Sequence, residues 1–219
     1  MTAGWDDGIA NLTDRLVREL ATGKPVLWLV CGGSNVPACV HVMDNISAEL
    51  SQNLSLLLSD ERYGPVGHKD SNWQQLLQAG FKPKQAKVFT ILEESAGLAQ
   101  TIDHYGQITA EAFAANNVVI AQLGIGGDGH IAGILPNSAS ANETVSLISS
   151  LEDPPLTRLT MTFPALRKIT IAYAFAFGQP KQQALKDLQT KSLPLNQQPS
   201  QILKELPEAY VYNDQVGDQ

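Results

Sequence analysis

Positive charge is scarce in this chain. Fifteen lysines and arginines face 22 acidic residues over 219 positions, a net charge of -7. The scarcity, with no basic run to offset it, excludes the electrostatic footprint of a nucleic-acid binder. Long apolar runs are missing too. The longest, Val26 to Cys31 and Ile171 to Phe177, fall far short of the ~20 residues of a membrane span. Asp6 and Asp7 stand where a secretory leader carries positive charge, so the reading is a cytoplasmic protein with no membrane partner. Cysteine is limited to Cys31 and Cys39, which lack metal-ligand spacing and read as buried thiols rather than a disulfide or zinc site. Aromatics make up only 6% of the residues against 43% hydrophobic, an ordinary globular composition, and the length suits one α/β domain over residues 1–219.

What is present is alternation. Ile9, Leu12, Leu16 and Leu20 repeat with the 3.6-residue period of an amphipathic helix. Val26 to Cys31 then reads as a strand buried on both faces, followed by Gly32-Gly33-Ser34-Asn35 and a helix over Val40, Met43, Ile46 and Leu50. Leu54 to Leu58, Lys87 to Leu92 and Val118 to Leu123 read as strands, with helices around Trp73 and from Leu98 to Ile108 between them. Strands over Arg158 to Thr162, Lys168 to Phe177 and Ala209 to Tyr212 follow, with helices through Leu185 and from Ile202 to Leu206. Such alternation predicts a mostly parallel sheet with helices on both faces. Ligands of such sheets lie beyond the carboxyl ends of the strands, where three polar clusters fall: Gly32 to Asn35, Ser59 to Arg62, and Gly124 to His130.

Each cluster is ambiguous taken singly. Gly32-Gly33-Ser34 before a helix start offers an anion free N–H groups, although a glycine pair is more often a plain turn. Gly124-Ile-Gly126-Gly-Asp-Gly129 matches the spacing of a dinucleotide fingerprint, but Pro136 follows too soon for the long helix that fingerprint requires. No dinucleotide and no metal is expected. The loop does place Asp128 and His130 together at a strand end, and a histidine titrating near neutrality can take a proton from water. His41, His68 and His104 fit packing or surface roles. Ser59-Asp60-Glu61-Arg62 leaves a buried strand abruptly; its carboxylates could hold hydroxyls and its guanidinium an anion.

Together these motifs resemble the 6-phosphogluconolactonase family, which shares its fold with glucosamine-6-phosphate deaminases. The resemblance rests on Gly32-Gly33-Ser34, on Ser59-Asp-Glu-Arg-Tyr63 followed by Ser71-Asn72, and on Leu123-Gly-Ile-Gly-Gly-Asp-Gly-His130 with Pro136. Arg158-Leu-Thr-Met-Thr162 and Gly178-Gln-Pro-Lys181 complete it. It implies a Rossmann-like, mostly parallel α/β sheet of the NagB/RpiA type and hydrolysis of a phosphosugar δ-lactone by water. His130 would be the general base and Asp128 its orienting partner. Gly32, Gly33 and Ser34 with Arg158 and Lys181 would hold the 6-phosphate, and Arg62 would face either the phosphate or the lactone end. Asp60, Glu61 and Asn72 would shape the pocket and bind hydroxyls. Neither cofactor nor metal is implied, and the state expected is a monomer or weak homodimer.

The sequence departs from the lactonase pattern twice: Asn35-Val36 stands where a single threonine is usual, and Ile131-Ala132-Gly133 replaces threonine-alanine-serine. A deaminase would carry a glutamate seven residues after Asp128, where this chain has Leu135. A non-catalytic sugar-phosphate sensor would need a DNA-binding segment; one helix alone precedes the first strand read here.

Overall fold

The computed structural model describes residues 2–217. Among them the strands form two sheets. The larger has the order β1-β10-β9-β6-β2-β3-β5 and its pairings are parallel. Its centre is made of the apolar runs: β2 (Val26–Val30) and β9 (Ile171–Ala176) are buried at every residue, so both faces are covered. β3 (Leu54–Leu58) and the two-residue β5 (Lys87–Val88) lie to one side of β2. β6 (Val118–Gly124), β9 and β10 (Glu208–Asn213) lie to the other, with β1 (Thr2–Ala3) at the far edge. The chain therefore reverses its direction of travel between β2 and β6, and a crevice opens there beyond the strand ends.

Helix α1 (Trp5–Ala21) buries the stripe Ile9, Leu12, Leu16 and Leu20 that its periodicity announces. α3 (Asn72–Gln78) and α4 (Leu98–Ala115) follow the sequence reading closely. α2 (Val36–Asp44) is shorter than its apolar spacing implies and does not reach Leu50. The reason is a lysine from elsewhere in the chain: Lys84 Nζ donates to the carbonyls of Met43 at 2.8 Å and Asp44 at 3.1 Å, and also to Ile46, satisfying acceptors that a further turn would have used. Two other expectations are corrected. Residues Pro199–Lys204 form a 3-10 helix rather than an α-helix, and of Lys87 to Leu92 only Lys87–Val88 pairs as a strand, with one further bond from Phe89 N–H to the Leu56 carbonyl at 2.9 Å.

The second sheet is antiparallel and was not anticipated. β4 (Asp60–Tyr63), β8 (Leu156–Met161) and β7 (Ile148–Asp153) lie in the order β4-β8-β7. The polar cluster after β3 is thus itself a strand, separated from β3 by Ser59 alone. Arg62 is directly opposite Arg158 in the β4/β8 register. α5 (Phe163–Leu166) leads from this sheet back to β9, and α6 (Gln182–Thr190) follows β9.

Candidate active site

Three loops meet at the switch between β2 and β6, and the antiparallel pair β4/β8 closes the fourth side. The cleft they form has a volume of about 140 Å³ and is lined by Gly32, Gly33, Ser34, Asp60, Arg62, Asn72, His130, Arg158 and Lys181. These are nine of the eleven residues that the sequence singles out. Asp128 stands behind His130 instead of on the wall. Cys31, Asn35, Gly124, Ile125 and Ala132 complete the lining.

The eleventh, Glu61, is corrected. Along a strand successive side chains alternate faces, so Asp60 and Arg62 face the cleft while Glu61 turns away and is 1% exposed. Its carboxylate accepts from the backbone N–H groups of Arg62 at 2.7 Å, Asn72 at 2.5 Å and Trp73 at 3.1 Å, and from Ser71 Oγ at 2.9 Å. It anchors the start of α3 rather than a sugar hydroxyl. Burial pushes its carboxyl upward, and the four donors work against that. The anchoring matters to the site because Asn72 is the first residue of α3. Asn72 Nδ2 donates to the Asp60 carbonyl at 2.9 Å and to Asp60 Oδ2 at 3.1 Å. Its Oδ1 is buried without a partner and lies so close to Gly32 that a Cβ there would sit 1.9 Å from it. Only glycine fits.

The turn from Gly124 to His130 is closed by Gly126 N–H donating to the His130 carbonyl at 3.0 Å. No helix opens after Gly129; Ile131 instead bridges to Ile125 and to Ile134. His130 Nδ1–H donates to Asp128 Oδ1 at 2.7 Å, and the same oxygen accepts the His130 backbone N–H at 3.1 Å. The imidazole is packed so tightly against the turn that a Cβ at Gly126 would lie 2.0 Å from Nδ1. The bond from His130 holds the Asp128 carboxyl down to about 2, against the opposing effect of its partial burial. Asp128 is therefore an acceptor throughout the neutral range, which fixes the neutral imidazole with its proton on Nδ1 and its lone pair on Nε2.

Three cations face this pair. Arg62 lies 3.9 Å from Asp60 Oδ2 and donates through Nη1 to the Asp70 carbonyl at 3.4 Å; its Nε is buried without a partner. His68, in keeping with a packing role, donates to the Arg62 carbonyl at 2.9 Å. Arg158 donates from Nε to Asp153 Oδ2 at 2.7 Å. Lys181 donates from Nζ to the Ile125 carbonyl; burial lowers its pKa and the nearby Asp128 raises it. Two like charges directly opposite across a strand pair repel, so Arg62 and Arg158 concentrate positive charge on one side of the cleft. Cys31 and Cys39, free and buried as expected, lie under the glycine loop. The neighbouring Cys39 and burial push the Cys31 thiol well up.

Comparison with known proteins fits this geometry. A profile of glucosamine-6-phosphate isomerases/6-phosphogluconolactonase matches residues 6–212. The chain is 29% identical over 155 residues to a probable chloroplastic 6-phosphogluconolactonase of rice, covering 61% of this chain and 47% of that protein, so it spans about half of that relative's length. It is 27% identical over 224 residues to a glucosamine-6-phosphate deaminase of Lactobacillus johnsonii, covering 96% and 92% of the two chains. In three dimensions it resembles a 6-phosphogluconolactonase from Shewanella baltica with a TM-score of 0.80 at 19% identity, covering 97% and 95%, a likeness of fold. With a match that runs nearly end to end and a cleft at the expected switch point, this chain belongs to the family of glucosamine-6-phosphate isomerases and 6-phosphogluconolactonases.

Proposed function

We propose that the chain hydrolyses 6-phospho-D-glucono-1,5-lactone to 6-phosphogluconate, with His130 as general base. The observation that carries this reading is the Asp128–His130 hydrogen bond of 2.7 Å at the wall of a cleft that gathers Arg62, Arg158 and Lys181. Nε2 of His130 takes a proton from water as the water oxygen attacks the lactone carbonyl. The imidazolium is stabilised by the ionised Asp128 and then gives its proton to the departing ring oxygen, so that one water is consumed and the ring opens to the acid. The cations hold the phosphate, and Asp60 with Asn72 faces the hydroxyls. Family members act on two kinds of substrate, and the deaminase likeness makes the second reading concrete. Against it stands Leu135, since a leucine cannot move a proton at the position seven after Asp128.

The test is a lactone-hydrolysis assay with phosphorylated and unphosphorylated gluconolactone, alongside ammonia release from glucosamine 6-phosphate. Hydrolysis that prefers the phosphorylated lactone is expected, with no ammonia. Arg158→Ala or Lys181→Ala should lower kcat/KM for the phosphorylated lactone by roughly 10 to 150-fold, the worth of one charge-assisted hydrogen bond, and leave the other lactone unaffected. Ammonia release without lactone hydrolysis would move the chain to the deaminase reading.

A further inference from the structure

The His130 loop is supported from behind by a segment that plays no part in the cleft wall. Gln198 is 3% exposed and precedes the 3-10 helix Pro199–Lys204. Both ends of its amide are used. Nε2 donates to the Ala184 carbonyl in α6 at 2.7 Å. Oε1 accepts from Gln201 Nε2 at 2.8 Å, and Gln201 Nε2 also donates to the Asp187 carbonyl in α6 at 3.3 Å. The aliphatic part of Gln198 meets the loop: a Cβ on Gly129 would lie 2.6 Å from Gln198 Cγ. Two residues on, the Ser200 N–H donates to the Gly129 carbonyl at 2.9 Å.

The other end of α6 touches the same loop. Lys181, the N-cap of α6, donates from Nζ to the Ile125 carbonyl, and the Pro180 carbonyl is so near Gly127 that a Cβ there would lie 2.7 Å from it. The loop is thus gripped at Ile125 and Gly127 by the turn that carries Lys181, and at Gly129, next to His130, by Gln198, itself bonded to α6. A buried amide costs free energy unless its polar atoms are bonded, and here the bonds run to Ala184 of α6 and to Gln201, itself bonded to α6, while the chain atoms press on the loop. We propose that Gln198 is a positioning residue that fixes the spacing between Lys181 and His130, so that a substrate held by its phosphate presents its carbonyl at the right distance from Nε2. This rests on the lactonase reading of the cleft.

The test uses Gln198→Ala, and Gln198→Met as a variant that keeps bulk under Gly129 without the amide. A displacement near 1 Å costs about 10²-fold in rate, so kcat for the phosphorylated lactone should fall roughly 10 to 100-fold in Gln198→Ala, less in Gln198→Met, with KM changed by less than about threefold. The unphosphorylated lactone is not anchored at Lys181 and should lose several-fold less. Equal losses on both lactones, or an unchanged kcat, overturn the proposal. A second readout does not need turnover: inorganic phosphate should shift the His130 imidazole NMR signals in the wild type and shift them less in Gln198→Ala. A wild-type response without lactone turnover removes the lactonase reading alone. An identical response in the variant, or none in the wild type, removes the positioning role.

Discussion

At the scale of single residues the chemistry narrows to one hydrogen bond. Asp128 and His130 are two positions apart, and a turn closed by a backbone bond brings their side chains to 2.7 Å. Replacing His130 with alanine removes the proposed base, and the expected loss in kcat is roughly 10²–10⁴-fold with the melting temperature little changed. A variant with wild-type turnover would take His130 out of the mechanism. The pH profile separates the two partners. With Asp128 held at about 2, that carboxylate stays ionised above about pH 4, and an acid limb there must be a one-proton titration of another group. A two-proton limb in kcat/KM would mean that Asp128 titrates with it. The same lowered value sets a stability window: the contribution of the pair is complete above the ordinary 3.8 of an aspartate and is lost as the pH falls through about 2.

At the scale of elements, two charged side chains, the buried Glu61 and the exposed Lys84, decide where helices begin and end. Glu61 holds the start of α3 through four donors, and glutamine offers one oxygen and an unwanted amide N–H in their place. Glu61→Gln should therefore destabilise the fold by about 1–3 kcal/mol, a fall of several degrees in Tm by calorimetry. A raised KM at unchanged Tm would instead restore Glu61 as a substrate ligand. Lys84→Met strips the donor from the carbonyls at the end of α2 and should cost about 1–2 kcal/mol, read from urea unfolding; an unchanged midpoint would make the contact incidental. These elements also mark what the sequence could tell. Buried parallel strands such as Val26–Val30 and Ile171–Ala176 are apolar at every position and hard to miss. β4 and β7 carry Asp-Glu-Arg and Ser-Ser-Leu-Glu-Asp, stretches with no strand periodicity strong enough to outweigh their polarity. Once Asp60–Tyr63 is seen as a strand, alternation sends Glu61 away from its neighbours, and a loop reading had no means of finding that. Gln198 and Lys84 lie 69 and 38 or more residues from their partners at Gly129 and at and just beyond the end of α2, separations at which no local pattern speaks.

At the scale of the whole molecule the acidic chain sets three cations around one cleft, and the arrangement should be poor for stability and good for binding. Arg62 and Arg158 face each other in register, where like charges are destabilising by a few tenths to about 1 kcal/mol relative to neutral pairs. Asp60 at 3.9 Å and Asp153 at 2.7 Å offset part of this, yet Arg62 Nε is still left buried without an acceptor. An anion between the two guanidiniums would relieve both the repulsion and the unmet donor. Inorganic phosphate should therefore raise the melting temperature, since a ligand that binds only the folded state at 100 times its Kd adds about 2.7 kcal/mol. In Arg62→Met the free protein should melt at or slightly above the wild-type temperature, because a repelling charge has gone and the aliphatic bulk remains. Its phosphate-induced shift should be largely abolished, and kcat/KM for the phosphorylated lactone should drop with it. Differential scanning calorimetry with and without phosphate measures both terms on one sample. A variant that melts lower while keeping the full phosphate shift would show Arg62 to be a packing residue of the antiparallel sheet and leave the anion to Arg158 and Lys181.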